Sequence, residues 1–397
     1  MKICLITNLY PPFARGGAEE VVRITVGGLI SAGHDVVVIS TKPGFGLSVE
    51  QSQKLKVYRF RPLNLFYYLN DHKHNIVVRL IWHFLDMFNL SSALTVRKIL
   101  INEKPDLVIT HNLMGLGFLI PNAIFACGIK HIHVLHDVQL AVPSGLILKG
   151  KENDFSADSF LTKLYARFCR NLFIKVQAVI SPSQWLLNFH SQKDFFPKAK
   201  KLIIPNPTSL NPASRQKDVR TNKYLFIGQL EKHKGIEWVL NIWRKNYIKD
   251  ELFIVGDGTM ELDASDINAQ IIGKAQGEEV NKIFAQADFL IVPSLCYENS
   301  PTVIPLAYKN ATPVIVADIG GAAELIYEGR TGFKFEAGNE QSFLLALEKA
   351  KVLPLTEYTA MSKNCLEETK EFSVEKYISE IIILSNNLKA VQYAGID

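Results

Sequence analysis

"PSLCYENSPTVIPLAYKNATPVIVADIGG", residues 293–321, decides how this chain is read. It begins at the end of "FLIVPS", an apolar run with the character of a strand buried on both faces. A loop follows with one carboxylate, Glu298, and then Ser300 and Pro301. Ser is a favoured N-cap and Pro suits the first helical position, so a helix is expected to start there. The free amides of its first turn, at Thr302 and Val303, would then point at an anion. Glu298 repels a phosphate, so its expected partners are hydroxyls, as on a sugar. A second apolar run, "TPVIVAD", and a second glycine turn, Gly320-Gly321, repeat the pattern. Strand, helix, strand in this order is a βαβ unit.

Working outward, the same alternation fills the chain. The first half offers "KICLIT", "DVVVIS", "KVYRF", "DLVIT", "HIHVLH" and "AVISPS" as strands. The second half offers "YLFIGQL", "LFIVGD", "AQIIGK", "FLIVPS" and "TPVIVAD". Two series of parallel-type strands separated by helical segments predict an α/β chain of two Rossmann-like, doubly wound domains facing a central cleft. The expected division is 1–203, 204–374 and a C-terminal helix, 375–397, that crosses back to the first domain. The joint lies in the Pro-, Asn-, Ser- and Lys-rich stretch 197–219.

Composition sets the bounds. At 397 residues one core is too few, and 48% apolar with 21% charged residues excludes a disordered chain. A net charge of +5, with no basic run or zinc-finger spacing, argues against nucleic-acid binding. Five scattered cysteines and no CxxC pair point to a reducing compartment, and no HExxH motif is present. The start "MKICLITNLYPPF" reads as a buried strand, not a signal peptide. The uncharged stretch 112–129 is interrupted by Pro121 and three glycines and reads as a buried helix pair.

In doubly wound sheets the ligand sits beyond the carboxyl ends of the strands, so the strand tips carry the chemistry. After the first strand, Gly16-Gly17 precedes a helix, where backbone amides can approach a phosphate; a plain Pro/Gly turn is the competing reading. After "YLFIG" come Gln229, Lys234 and Gly235, and a Lys there can pair with a phosphate or simply be solvated. Gly273-Lys274 offers backbone groups to a nucleotide base. His111 and His136-Asp137 stand at successive strand tips, whereas His131 and His133 read as strand residues and His72 and His74 as loop residues.

As an ordered set, "PPFARGGAE", "FIGQLEKHKG" and the 293–321 block resemble retaining, nucleotide-sugar-dependent glycosyltransferases of the GT-B type, family 4. The resemblance covers essentially the whole chain. It implies that Gly16, Gly17 and Lys234 hold the donor diphosphate, with Gln229 beside them where relatives commonly carry Arg. Glu298 would take the sugar hydroxyls, and the amides at Asn299, Ser300, Thr302 and Val303 the phosphates; Gly273 and Lys274 are donor-binding candidates on their strand-end position alone. His136 would stand beside the transferred sugar and His111 on the acceptor side. The catalytic residues implied are His136, Lys234 and Glu298. No metal or other cofactor is called for, the nucleotide-sugar being a substrate.

The family pattern is Glu, seven residues, Glu, the second acid binding the ribose; here that position is Leu306. Three explanations compete: Glu324 or Glu278–Glu279 in nearby loops supplies the ribose contact, the enzyme runs with weaker donor binding, or transfer has been lost. The rival readings are a degenerate member that binds sugar or nucleotide without transfer, and a GT-B-shaped epimerase. The implied acceptor is a glycan or lipid-linked saccharide, which suits a cytoplasmic protein peripheral to the inner face of the membrane. Segment 161–176, with Lys163, Arg167 and Arg170 beside an apolar face, and segment 76–90 are the candidate contacts; the competing reading is an ordinary surface helix whose apolar face packs on a sheet.

Overall fold

The computed structural model describes residues 1–208, 220–275 and 277–389. The later half of the expected interdomain joint, 209–219, lies outside them, as does the tail from 390.

The strands are β1 (Lys2–Ile6), β2 (Asp35–Thr41), β3 (Ser48–Gln51), β4 (Leu55–Phe60), β5 (Leu107–Thr110), β6 (Lys130–Val134), β7 (Ala178–Ser181) and β8 (Lys200–Ile203) in the N-terminal half. The C-terminal half supplies β9 (Lys223–Ile227), β10 (Glu251–Val255), β11 (Ala269–Gly273), β12 (Phe289–Val292), β13 (Val314–Ala317) and β14 (Gly332–Phe335). They form two sheets, ordered β3-β4-β2-β1-β5-β6-β7-β8 and β11-β10-β9-β12-β13-β14. All pairings are parallel except β3 with β4. In each sheet the strand order reverses once, between β1 and β5 and between β9 and β12. These are the switch points where a doubly wound sheet leaves a crevice.

Apolar residues on both faces explain why the strands are parallel and central. In β1, Cys4 and Ile6 join one core while Ile3 and Leu5 join the core on the opposite face. In β12, Phe289 and Ile291 join one core and Leu290 and Val292 the other. The C-terminal helix Val374–Asn386 belongs to the N-terminal core: Tyr377, Ile378, Ile381 and Leu384 pack with Val22, Val26 and Leu29 of the helix Gly17–Ser31. Lys130 Nζ donates to the carbonyl of Ser385 at 3.1 Å, fastening its end.

Two local expectations need correction. Stretch 112–129 holds one helix, Ile120–Ala126, not a pair. Its first part is turns, because Gly115 and Gly117 take positive φ. The helix after Glu298 is Val303–Lys309, so Ser300 is not its N-cap and Pro301 precedes it. Pro305 stands in the first turn instead, where a missing N–H leaves no helical bond unmade. Among the described residues, no helix is long and apolar enough to cross a membrane.

Candidate active site in the interdomain cleft

Each switch point presents two loops, and the four loops carry most of the residues singled out from sequence. The loop after β1 holds Gly16 and Gly17, and the loop after β5 begins with His111. The loop after β9 holds Gln229 and Lys234, and the loop after β12 holds Glu298.

Lys234 ends a 3-10 turn, Lys232–Lys234, that is closed by Gly235 at φ +78. A side chain at 235 would strike the carbonyl of Pro293 at the end of β12, so glycine is required both for its conformation and for the close approach. That approach sets Lys234 against the next loop. Its Nζ lies 3.0 Å from Glu298 Oε2. The Ser294 hydroxyl donates to the other oxygen of the same carboxylate. Burial works against the ammonium, but the Glu298 charge outweighs it and holds the Lys234 pKa above its ordinary value. Burial likewise works against the carboxylate, and Lys234 with the Ser294 bond holds the Glu298 pKa below its ordinary value. Both groups are therefore charged at neutral pH.

The backbone of Glu298 is fixed from behind. Its carbonyl accepts from Gly321 N at 2.7 Å and Ala322 N at 3.2 Å. Gly320, at φ +65, makes this turn, and a Cβ there would press on the Glu298 backbone. The glycine pair after β13 thus positions the acid.

The N-terminal domain closes on this loop. Leu148 pairs with Cys296 in an antiparallel bridge, Lys149 N donates to Leu295 O at 2.9 Å, and Tyr297 N to Ile147 O at 3.0 Å. Asn299 Nδ2 donates to the carbonyl of His136 at 2.8 Å, while its Oδ1 is buried without a partner. Across the cleft a Cβ on Gly17 would come within 3.4 Å of Thr302 Cγ2. Gly17 and the start of the 303–309 helix therefore face each other.

Several expected roles meet a different geometry. The amide of Gly16 donates to Glu19 Oε2 at 2.9 Å, the one half of a capping box that a glycine can make, so it is already satisfied. His111 is only 1% exposed, hydrogen-bonded through Nδ1 to His136 Nε2 at 2.8 Å. It lies beneath His136 and is closed off from solvent. Ser300 is buried with its hydroxyl unpartnered. Gln229 is exposed, and Lys274 pairs with Asp257 at 3.3 Å beside Gly273, at φ +82. Leu306 is partly buried and joins Val303, Ile227 and Ala275 at the rim of the C-terminal core. Glu324 does not replace the missing acid: its carboxylate accepts from Gln184 N at 2.7 Å and Trp185 N at 2.6 Å, capping an N-terminal-domain helix. Glu278 and Glu279 lie exposed in the first turn of the helix Glu278–Gln286.

Sequence reasoning missed Glu19, Ser294 and the cross-domain bond of Asn299. It noted Asp137 without a role; burial raises its carboxyl to about 6. Burial lowers His136 to about 4, so its ring is neutral near pH 7. Among the described residues, no group of three or more His, Cys, Asp or Glu is placed to hold a metal ion.

Known proteins share this fold. Residues 15–211 match the family model described as Glycosyltransferase Family 4, and residues 221–350 that described as Glycosyl transferases group 1. An uncharacterized 42.6 kDa protein in the cps region of Klebsiella pneumoniae is 25% identical over 329 residues, covering 82% of this chain and 87% of that one. The UDP-Gal:alpha-D-GlcNAc-diphosphoundecaprenol alpha-1,3-galactosyltransferase of Escherichia coli is 28% identical over 207 residues, 45% of this chain and 52% of that protein. The sucrose-phosphate synthase of Thermosynechococcus elongatus superposes with a TM-score of 0.74 over 97% of this chain and 98% of that one, at 16% identity. The two family matches tile both domains of one GT-B fold, and the chain belongs to the family 4 glycosyltransferases, enzymes that use nucleotide-sugar donors.

Proposed function

We propose that this protein moves a hexose from a nucleoside-diphosphate sugar to a saccharide acceptor with retention of the anomeric configuration and without a metal ion. The observation that carries the reading is the Lys234–Glu298 pair, at 3.0 Å, in a cleft whose opposite wall brings Gly17 to Thr302. An ammonium with three donors can keep Glu298 and still present hydrogen bonds to a diphosphate. In the reaction the bond from the anomeric carbon to the diphosphate oxygen breaks and the acceptor hydroxyl bonds to the same face of that carbon. The acceptor proton passes to the departing phosphate. Lys234 and the Gly17 amide stabilise charge as it develops on the leaving group. Glu298 accepts from sugar hydroxyls, and the neutral His136, whose carbonyl is tied to Asn299, borders the transferred sugar.

The relatives favour a surface-polysaccharide setting. One is in a cps region, and another acts with UDP-Gal on a diphosphoundecaprenol-linked sugar. A UDP-hexose and a lipid-linked saccharide are therefore the first substrates to try, with the protein on the cytoplasmic side of the membrane. The test is UDP release from a panel of UDP-, GDP- and ADP-sugars with diphosphate-linked N-acetylglucosamine as acceptor. Transfer that needs both substrates, and falls at least a hundredfold in Lys234→Ala and in Glu298→Ala, is expected. Full turnover in both variants overturns the reading, as does conversion of the donor with no acceptor present.

A further inference from the structure

We propose that the outward faces of the helices Ile76–Met87 and Phe160–Phe173 form one surface that docks on an anionic lipid bilayer. The first helix buries Trp82 and Asp86 against the domain. Its opposite side carries Val77, Leu80, Ile81 and Phe84, continued by Phe88, at helical spacing. A surface helix normally shows polar residues on that side. Here all five are exposed, Phe84 to 61%. The second helix buries Tyr165, Cys169 and Leu172 and leaves Phe160, at 79%, Leu161 and Leu164 outside. The two faces are continuous. The ring of Phe88 lies 5.1 Å from Phe84 and 4.8 Å from Phe168, which follows Leu164 by one helical turn. An apolar surface of this extent marks an interaction site.

Charge selects the occupant. The only acid on either helix is Asp86, and it is fully buried. The cations are Arg79, Lys163, Arg167 and Arg170. The flanking acids Asp71 and Asp158 are held by Arg15 at 3.1 Å and Lys163 at 2.8 Å, and Arg170 is held by Asp194 at 3.1 Å. Arg79 and Arg167 have no ion pair among the described residues. An apolar face flanked by unpaired cations complements anionic headgroups over acyl chains. A second copy of the chain fits less well, because a two-fold interface sets this cationic patch against itself.

The second helix is tied from its buried side to the segment that follows His136. The hydroxyl of Tyr165 donates to the carbonyl of Gln139 at 2.9 Å, three residues from His136. Docking would thus bring the N-terminal wall of the cleft to the bilayer, where a lipid-linked acceptor resides. That last step rests on the transfer reading; the docking does not.

The experiment is co-sedimentation of the full chain, without any sugar donor, with vesicles of phosphatidylcholine alone or mixed with phosphatidylglycerol. The chain should pellet with the mixed vesicles, and raising the salt should release it. Phe84→Glu with Leu164→Glu should weaken binding at least tenfold, with the melting temperature unchanged. Arg79→Gln with Arg167→Gln should weaken it about tenfold and flatten the salt dependence. Absence of binding to the mixed vesicles at low salt would overturn the proposal. So would binding that both double variants leave intact, or a dimer by light scattering that the Phe84 and Leu164 changes dissociate while vesicles bind nothing.

Discussion

At the scale of single residues the account turns on Lys234 and Glu298. Each is partly reached by solvent, so breaking the pair should cost roughly 1–3 kcal/mol, less than the 3–5 kcal/mol of a fully enclosed pair. Glu298→Ala is expected to lower the melting temperature and abolish transfer. Lys234→Met with Glu298→Gln should regain most of the stability, since no charge is left alone, and none of the activity. Thermal melts and turnover on the same samples separate the two effects. Leu306 gives a second prediction. It sits partly exposed beside Val303, where a longer polar side chain can turn outward. Leu306→Glu should tighten UDP binding about ten- to a hundredfold by calorimetry, the worth of one hydrogen bond to a charged group. Unchanged affinity would place the ribose elsewhere. Lys234, Glu298 and the glycine pairs were legible because each stands at a strand tip, where local spacing fixes position. Asn299 was read as a phosphate-facing amide, and its bond to His136 was not legible because that partner lies 163 residues away.

At the scale of elements, the central strands could be read directly because apolar side chains face both ways. The strands that escaped are β3, β8 and β14. β3, "SVEQ", is an antiparallel edge; β8, "KKLI", is an edge with two lysines; β14 opens on a glycine. β3 and β8 lie largely in water, and an edge strand so placed carries no continuous apolar signal; β14 is mostly buried, but it is short and Lys334 breaks its apolar run. The tail helix showed its apolar period, and its seat is fixed by a small residue on its partner. A Cβ at Gly28 would come within 2.6 Å of Val374 and 2.7 Å of Ile378. Gly28→Val should push the tail helix away at a cost of about 1–3 kcal/mol, seen as a lower melting temperature and faster proteolysis near Val374. The cap on the helix Gln184–Gln192 is an interdomain device. Glu324 supplies charge to that helix start from the other domain, and the ring of Tyr297 stacks on Trp185 at 5.1 Å. Glu324→Ala should cost about 1–2 kcal/mol in stability and widen the cleft, which small-angle scattering would register.

At the scale of the whole molecule, stability and pH are linked through a buried histidine group. Burial lowers His131 to about 3 and His136 and His190 to about 4, and holds His111 and His133 well below their usual range. All five ionise near 6.5 once unfolded, so the unfolded chain takes up protons first and stability falls as pH drops below about 6.5. Asp86 and Asp137 oppose this. Burial raises them to about 7 and about 6, so the folded chain protonates them first as pH falls, and their contribution fades as pH rises. Five groups outweigh two, and the melting temperature should decline from pH 7 to pH 5. The two domains and their cleft were legible from the repeated strand–turn–helix pattern, but the closing contacts between 147–149 and 295–297 carry no sequence signal. The most direct measurement is a crystal structure of the chain with a UDP-sugar. The account predicts the diphosphate between the Lys234 ammonium and the Gly17 amide, with the sugar hydroxyls on Glu298. A nucleotide bound outside the cleft, or in the cleft with Lys234 turned away from its phosphates, would contradict it.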